Sequence, residues 1–426
     1  MKEKLNEEFI HKLSEKKKEP AWMLEHRLNA YHNFLMQEEP NFGPDIHINF
    51  DEICYYKDKT NKMTDKWESV SCNLKNTFDD LGVIKAEEEY LGGVTNQYES
   101  EVFYHKQTIG NGIIFTSTDD ALQKYPELFK KYFNNLVKLE ENKYTALNNA
   151  VWSGGSFIYI PKGIKVDKPL QSYFRIESES LGQFEHTIII VDDEAELSYI
   201  EGCTATAYSK TSLHAGVVEI YVGKNAKCRY STIQNWSTDV YNLVTKRAIV
   251  DEGGLMEWVD GNIGSGLTMK YPSCILKGEG SVGVAYAKKG QVLDAGAKMI
   301  HLGKNTKSSI ISKSIAEAGG IANYRGTTKI TKNATGSVAT IKCDTILLDN
   351  ISKSDTFPKN IVGNKTSSLT HEATVSKLDA DKLFYLASKG LTEDQARELL
   401  IMGFMTDFKK ELPMEYAVEL NRLIKE

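Results

Sequence analysis

Cysteine has the widest chemical range of any residue type in this chain, and six are present: Cys54, Cys72, Cys203, Cys228, Cys274 and Cys343. None belongs to a C-x-x-C pair, so no single segment presents a preorganised zinc or ferredoxin-type site. In a reducing compartment all six are free thiols, and the default role of a free thiol is that of a small buried hydrophobe. Cys203 stands apart by its surroundings. It lies nine residues after Glu194, and Gln234 lies nine after Asn225, each in a stretch that reads as a strand following a polar turn. If those turns are equivalent, Cys203 and Gln234 stack on adjacent strands. Trp236, two residues on, then faces the same side as Gln234. A thiol, an amide and an indole in one region form either a mixed core or a site. A buried amide costs free energy unless it is paired, which invites a functional explanation.

Other strings carry less. Gly278-Glu279-Gly280-Ser281-Val282-Gly283 matches G-x-G-x-x-G but has no strand–helix–strand unit around it. Gly303-Lys304-Asn305-Thr306-Lys307-Ser308 lacks the spacing of a phosphate loop, and no Walker A motif occurs anywhere. ATP hydrolysis, where relevant, therefore belongs to a partner. No H-E-x-x-H or G-x-S-x-G occurs, and His371-Glu372 is only a dipeptide.

The elements that must position these residues repeat. Six turns line up: Asp192-Asp193-Glu194, Gly223-Lys224-Asn225, Asp251-Glu252-Gly253, Gly278-Glu279-Gly280, Gly303-Lys304-Asn305 and Thr331-Lys332-Asn333. Their third positions are 31, 28, 27, 25 and 28 residues apart, and β-branched or aromatic runs follow. A period in this range without helical spacing predicts a β-solenoid with one continuous core. The chain divides into a mixed helical region over 1–150, the solenoid over 151–371 and a helical region over 372–426. In the first, Leu24, Leu28, Tyr31 and Leu35 form a helical stripe. In the last, Gly390 caps one helix and Thr392 with Gln395 forms a capping box for the next. Leu399, Met402, Phe404, Tyr416 and Leu420 supply apolar stripes that either cap the solenoid or face a partner.

Composition sets outer bounds. A hydrophobic fraction of 41% supports a sizeable core, and 26% charged residues support solubility. A net charge of −6 argues against nucleic acid as a partner. No apolar run of about 18 residues predicts a membrane span. The Lys/Glu-rich start is unlike a signal peptide, so a cytoplasmic location is expected.

At longer range the chain resembles the SufB/SufD family. The resemblance is carried by Tyr159-Ile-Pro-Lys-Gly163, Tyr173-Phe-Arg-Ile176, Tyr199-Ile-Glu-Gly-Cys-Thr-Ala205, Ser231-Thr-Ile-Gln-Asn-Trp236, Val244-Thr-Lys-Arg247, Lys270-Tyr-Pro-Ser-Cys-Ile275, Cys343-Asp344 and His371-Glu-Ala-Thr374. It spans nearly the whole chain. Cys203 and Cys343 place it closer to SufB, the iron–sulfur cluster scaffold, than to SufD.

The resemblance implies a right-handed parallel β-helix that pairs with a SufD-like paralogue or with itself. It implies a SufC-like ATPase on the C-terminal helices, a cysteine desulfurase with its sulfur carrier as persulfide source, and a transient iron–sulfur cluster with possible reduced flavin. Carried over by motif, Cys203 is the sulfur acceptor, with Arg175, Gln234, Trp236 and Lys246 lining the sulfur path. Cys343, His371 and Glu372 form the cluster and iron site. Persulfide transfer needs a thiolate, so Arg175 or Lys246 is expected to lower the pKa of Cys203. Two positions depart from the family pattern: Thr370 stands where SufB commonly has glutamate, and Glu177 where asparagine is expected. A SufD-like interaction subunit is the alternative, argued against by the presence of both cysteines. A carbohydrate-active or adhesive β-helix would need a secretion signal or an outer cleft of carboxylates, and neither is visible.

Overall fold

The computed structural model describes residues 4–57, 63–70, 91–205, 211–276, 283–287 and 291–411. Cys72, the Gly278-Glu279-Gly280 turn and the apolar residues Tyr416 and Leu420 lie outside them. The centre of the molecule is a parallel β-solenoid. Its first sheet stacks Gly93–Tyr98, Leu170–Ile176, Glu196–Ala205, Lys227–Asn235, Leu255–Asn262, Gly283–Ala287, Lys307–Ala316, Val338–Leu347 and Ser368–Lys377, every neighbouring pair parallel. The second includes Ser156–Ile160, His186–Val191, Val217–Val222, Val240–Val250, Leu267–Lys270, Ser273–Leu276, Lys298–His301 and Ile321–Ile330, with Thr356–Val362 as its last strand. The chain passes from one sheet to the other in each coil.

Turn chemistry sets the register. Glu194, Asn225, Gly253 and Asn305 adopt positive φ of 63°, 53°, 69° and 57°. Each stands two residues before its strand of the first sheet begins. The turns stack along one edge: the Glu194 N–H donates to the Lys224 carbonyl at 2.8 Å, and the Asn225 N–H donates to the Glu252 carbonyl at 3.0 Å. The sixth turn needs a correction. The left-handed residue is Gly336, with φ of 71°, not Asn333, because residues 331–337 make this turn longer than those around Glu194, Asn225, Gly253 and Asn305. A Cβ on Gly336 would lie 2.4 Å from Asn305 Oδ1, as one on Gly253 would lie 2.2 Å from Asn225 Oδ1, so the left-handed backbone and the close Asn side chain together favour glycine at both positions.

The sheets extend past the expected solenoid limits. Gly93–Tyr98 joins the first sheet with an antiparallel partner, Glu101–Gln107, and the last strand runs to Lys377. Buried Asn96 and Gln97 break the apolar alternation of the first strand, which hides it in the sequence. Between the sheets lies a core that includes Leu197, Tyr199, Ile220, Tyr230, Ala248, Met256 and Trp258. Full burial of each large apolar side chain contributes about 1.5–3 kcal/mol. Cys228 and Cys274 belong to this core, and the Trp258 indole donates to Cys274 Sγ at 3.2 Å.

In the helix Ala21–Met36 the fully buried line is Met23, Arg27, Ala30, Tyr31 and Phe34; of the expected stripe, Leu24 and Leu28 are half-buried against the same core as Tyr31, and Leu35 is exposed. Arg27 can be buried because Glu19 pairs with it at 2.6 Å and its guanidinium lies 4.8 Å above the Trp152 ring. At the other end, Gly390 at φ 94° closes the helix Ala380–Ser388, and Thr392 and Gln395 form both capping-box bonds of Glu393–Phe404. Ile401, Met405 and Phe408 share a buried cluster with Ile200, Ile233 and Val259 on the outer face of the first sheet. Leu399, expected on the apolar stripe, is exposed, as are Phe384 and Tyr385.

Candidate functional site

Strand alternation places two rows of chemically useful side chains inside the first sheet. One row, read across successive strands, is Phe174, Cys203, Gln234, Asn262, Ala285, Ser314 and Thr345. The neighbouring row is Ser172, Glu201, Thr232, Asp260, Gly283, Ser312 and Cys343. Cys203 and Gln234 are thus register partners, as the turn spacing predicts. The two cysteines stand on adjacent rows, separated by five strand steps, or about 24 Å at ~4.8 Å per step.

Around Cys203 the facing sheet contributes Asn242, Lys246 and Lys270, and the side chains close a ring. Cys203 Sγ lies 3.9 Å from Glu201 Oε1, and Glu201 Oε1 lies 3.4 Å from Lys246 Nζ. Lys246 is 3.8 Å from Asp260, and Asp260 is 3.0 Å from Lys270. Lys270 Nζ donates to Gln234 Oε1 at 3.0 Å, and Gln234 Nε2 returns to Cys203 Sγ at 3.9 Å. Asn242 also donates to Gln234 Oε1, at 2.8 Å, and its Oδ1 accepts from His214 Nδ1, 2.7 Å away. Trp236 packs in one cluster with Cys203, and its ring lies 4.6 Å from that of His214.

This arrangement corrects the expected electrostatics of Cys203. Burial pushes the thiol well above its ordinary pKa, Glu201 and Glu185 push in the same direction, and Lys246 and Lys270 oppose them without prevailing. Arg175 is not among these groups. It follows Phe174, the register partner of Cys203, and so projects from the opposite strand face, where it bonds Thr204 at 3.0 Å and Glu177 at 3.3 Å. Lys246 does face the thiol, but burial opposes its charge while Glu201 and Asp260 raise its pKa and occupy it. Burial brings Lys270 down to about 8. Glu201, Asp260 and Lys270 were not legible as site residues from motif spacing alone, although Glu201 precedes Cys203 by two residues and therefore shares its face.

The second centre lies near the end of the solenoid. Cys343 Sγ is 3.9 Å from His371 Nε2, and Asn360 Nδ2 lies 3.1 Å from the other ring nitrogen. The Tyr324 and His371 rings are 6.4 Å apart at 72°. Burial pushes the Cys343 thiol up to about 12, with Tyr324 acting in the opposite direction. Glu372 does not join this pair. As the next residue along the strand it faces the other way, is exposed, and pairs in register with Lys342. Thr370 shares the Glu372 face, so a carboxylate there would also point away from Cys343. Among the described residues no three His, Cys, Asp or Glu side chains are gathered as a metal-binding group. One chain offers a thiol and an imidazole, donors suited to iron but short of a full coordination set.

Residues 174–404 match the family described as SUF system FeS cluster assembly, SufBD core domain, and residues 15–172 match the SufBD protein N-terminal region. A Staphylococcus saprophyticus protein named as an iron-sulfur cluster assembly SufBD family protein is 54% identical over 429 residues, covering 99% of this chain and 92% of its own length. A Staphylococcus aureus protein of the same description is 55% identical with the same coverage.

Proposed function

This chain belongs to the SufBD family of the SUF iron–sulfur cluster assembly system, and from that premise we propose that it is a SufB-like scaffold. In this reading Cys203 accepts sulfur from a protein persulfide inside the solenoid, and Cys343 with His371 holds it with iron at the end. The chain is a scaffold and not an ATPase; the energy comes from a SufC-like partner on the C-terminal helices. The observation that carries the proposal is the placement of the two thiols on adjacent inward rows of one sheet, each with its own polar surroundings. Gln234, Trp236, Lys246 and Lys270 lie on the Cys203 side of that route, and Arg175 lies off it. With two donors from one chain, the cluster is cargo whose remaining ligands come from sulfide and from a second chain, a copy or a SufD-like paralogue. Few protein ligands make a labile cluster, which suits a protein that hands it on. The described residues include no helix long and apolar enough to cross a membrane, in keeping with assembly in the cytoplasm. Nothing in this reading calls for a flavin.

The test pairs two substitutions. Cys203→Ser is expected to abolish persulfide labelling when the desulfurase and its carrier are supplied. Cys343→Ser is expected to keep the label and lose the cluster on anaerobic reconstitution, read by absorption, Mössbauer spectra and iron and sulfide content. Equal cluster content in wild type and both variants would reject the proposal. A SufD-like interaction subunit predicts that result.

A further inference from the structure

We propose that Glu201 is the proton acceptor for Cys203, within a ring of side chains that stays electrically neutral as the thiol ionises. The inference rests on Cys203 as the sulfur acceptor and extends that reading to the group that prepares the thiol. Cys203 Sγ is 3.9 Å from Glu201 Oε1 on one side and 3.9 Å from Gln234 Nε2 on the other. The charged groups closing the ring are Glu201, Lys246, Asp260 and Lys270, whose side chains are 2%, 0%, 5% and 0% exposed. Glu185 and the Tyr199 and Tyr230 phenols complete the titratable surroundings of the thiol.

With the thiol protonated, two carboxylates and two ammonium groups cancel. Export of the thiol proton to water would leave a net negative charge in a medium that solvates ions poorly. Transfer to Glu201 avoids this, because the thiolate and Asp260 then balance Lys246 and Lys270. The ring is already arranged for that state. The Tyr230 hydroxyl donates to the Oε2 atom of Glu201, leaving Oε1 toward the sulfur. The Gln234 amide presents a donor to the thiolate, and its carbonyl is held by Lys270 and Asn242.

The chemical step balances. The Cys203 thiolate attacks the terminal sulfur of a donor persulfide, R–S–SH. The new Sγ–S bond forms as the donor S–S bond breaks, and the departing R–S⁻ takes the proton from Glu201 to become R–SH. One sulfane sulfur changes thiol, with no net oxidation or reduction.

A simpler role for Glu201, a fixed negative charge that restrains ionisation, predicts the opposite effect of removing it. The test uses the full chain with glutathione persulfide as donor, under anaerobic conditions, with Cys203 persulfide read by mass spectrometry after alkylation. Glu201→Gln is expected to slow labelling about a hundredfold at pH 7, in the range of a lost general base, with a residual rate that climbs about tenfold per pH unit. Glu201→Asp, which keeps a carboxylate, is expected to label faster than Glu201→Gln. Equal rates in the Gln and Asp variants, or a Gln variant as fast as wild type or faster, would overturn the assignment. Undiminished total persulfide on the Cys203→Ser chain, summed over its other cysteines in the same measurement, would instead overturn the acceptor reading beneath it.

Discussion

At the scale of single residues, the ring around Cys203 is a set of buried ions whose stability depends on pairing. Lys270 is held by Asp260 and by the Gln234 carbonyl, both inside the solenoid. Lys270→Met leaves Asp260 buried with only the more distant Lys246, and breaking such a pair from one side costs roughly 3–5 kcal/mol. We expect a loss of that size in denaturant unfolding, and partial recovery when Asp260→Asn is added. If the double variant is no more stable than Lys270→Met, the two residues do not form a coupled pair. Gln234→Leu removes the acceptor for Lys270 and Asn242 and is expected to cost about 1–3 kcal/mol in the same assay. Imidazoles give a separate signature. Burial holds both His26 and His301 neutral, with pKa values of about 4. In the unfolded chain they take up protons from about pH 6.5 downward. Their contribution to stability is therefore complete above that pH and lost as pH falls toward 4. The part of the melting-temperature profile set by these two imidazoles should be flat above pH 7 and drop between 6.5 and 4, less steeply in His301→Gln. An identical slope in that variant would count against the assignment.

At the scale of elements, the turns explain both what the sequence disclosed and what it concealed. The Cys203–Gln234 pairing was legible because Glu194 and Asn225 each sit two residues before a strand in left-handed backbone. The same count from Gly336 places Cys343 seven residues on, in the row that holds Glu201 and Asp260. Setting that turn at Asn333 shifted the count by three and concealed the shared row. Arg175 was misread for a different reason: a motif carries a residue but not the face it occupies, and one position of alternation turned it outward. The C-terminal helices show the same shift. Ile401 and Met405 are committed to Ile200, Ile233 and Val259, while Leu399, Phe384 and Tyr385 remain exposed. An ATPase docking on this region should therefore be lost in Leu399→Asp combined with Phe384→Ser, with an unchanged melting temperature and no co-purification. Ile401→Ala should instead destabilise the fold by about 2–5 kcal/mol. Undiminished co-purification of the double variant would move the docking site elsewhere.

At the scale of the whole molecule, one end of the solenoid is unfinished. Among the described residues Ser368–Lys377 pairs on one side only, Thr356–Val362 is the last strand of its sheet, and Phe357, Ile361, Val362 and Val375 are exposed there. Uncovered edges with apolar side chains favour pairing with another chain. Ile361→Lys with Val375→Lys is expected to convert a dimer to a monomer in size-exclusion chromatography with light scattering, and to reduce reconstituted cluster while Cys203 labelling persists. A variant that remains dimeric with full cluster content would place the interface elsewhere. The order of residues around the sulfur-accepting thiol carries one more consequence, for synthesis on the ribosome. Every member of the ring lies between Glu201 and Lys270, so the ring is fully encoded before residues 271–426 are made. Cys343 and His371 emerge later, on the strands that finish the solenoid. A stalled or truncated chain would own a receptacle for sulfur before it owned an exit, and completion of translation would decide whether a loaded chain can deliver.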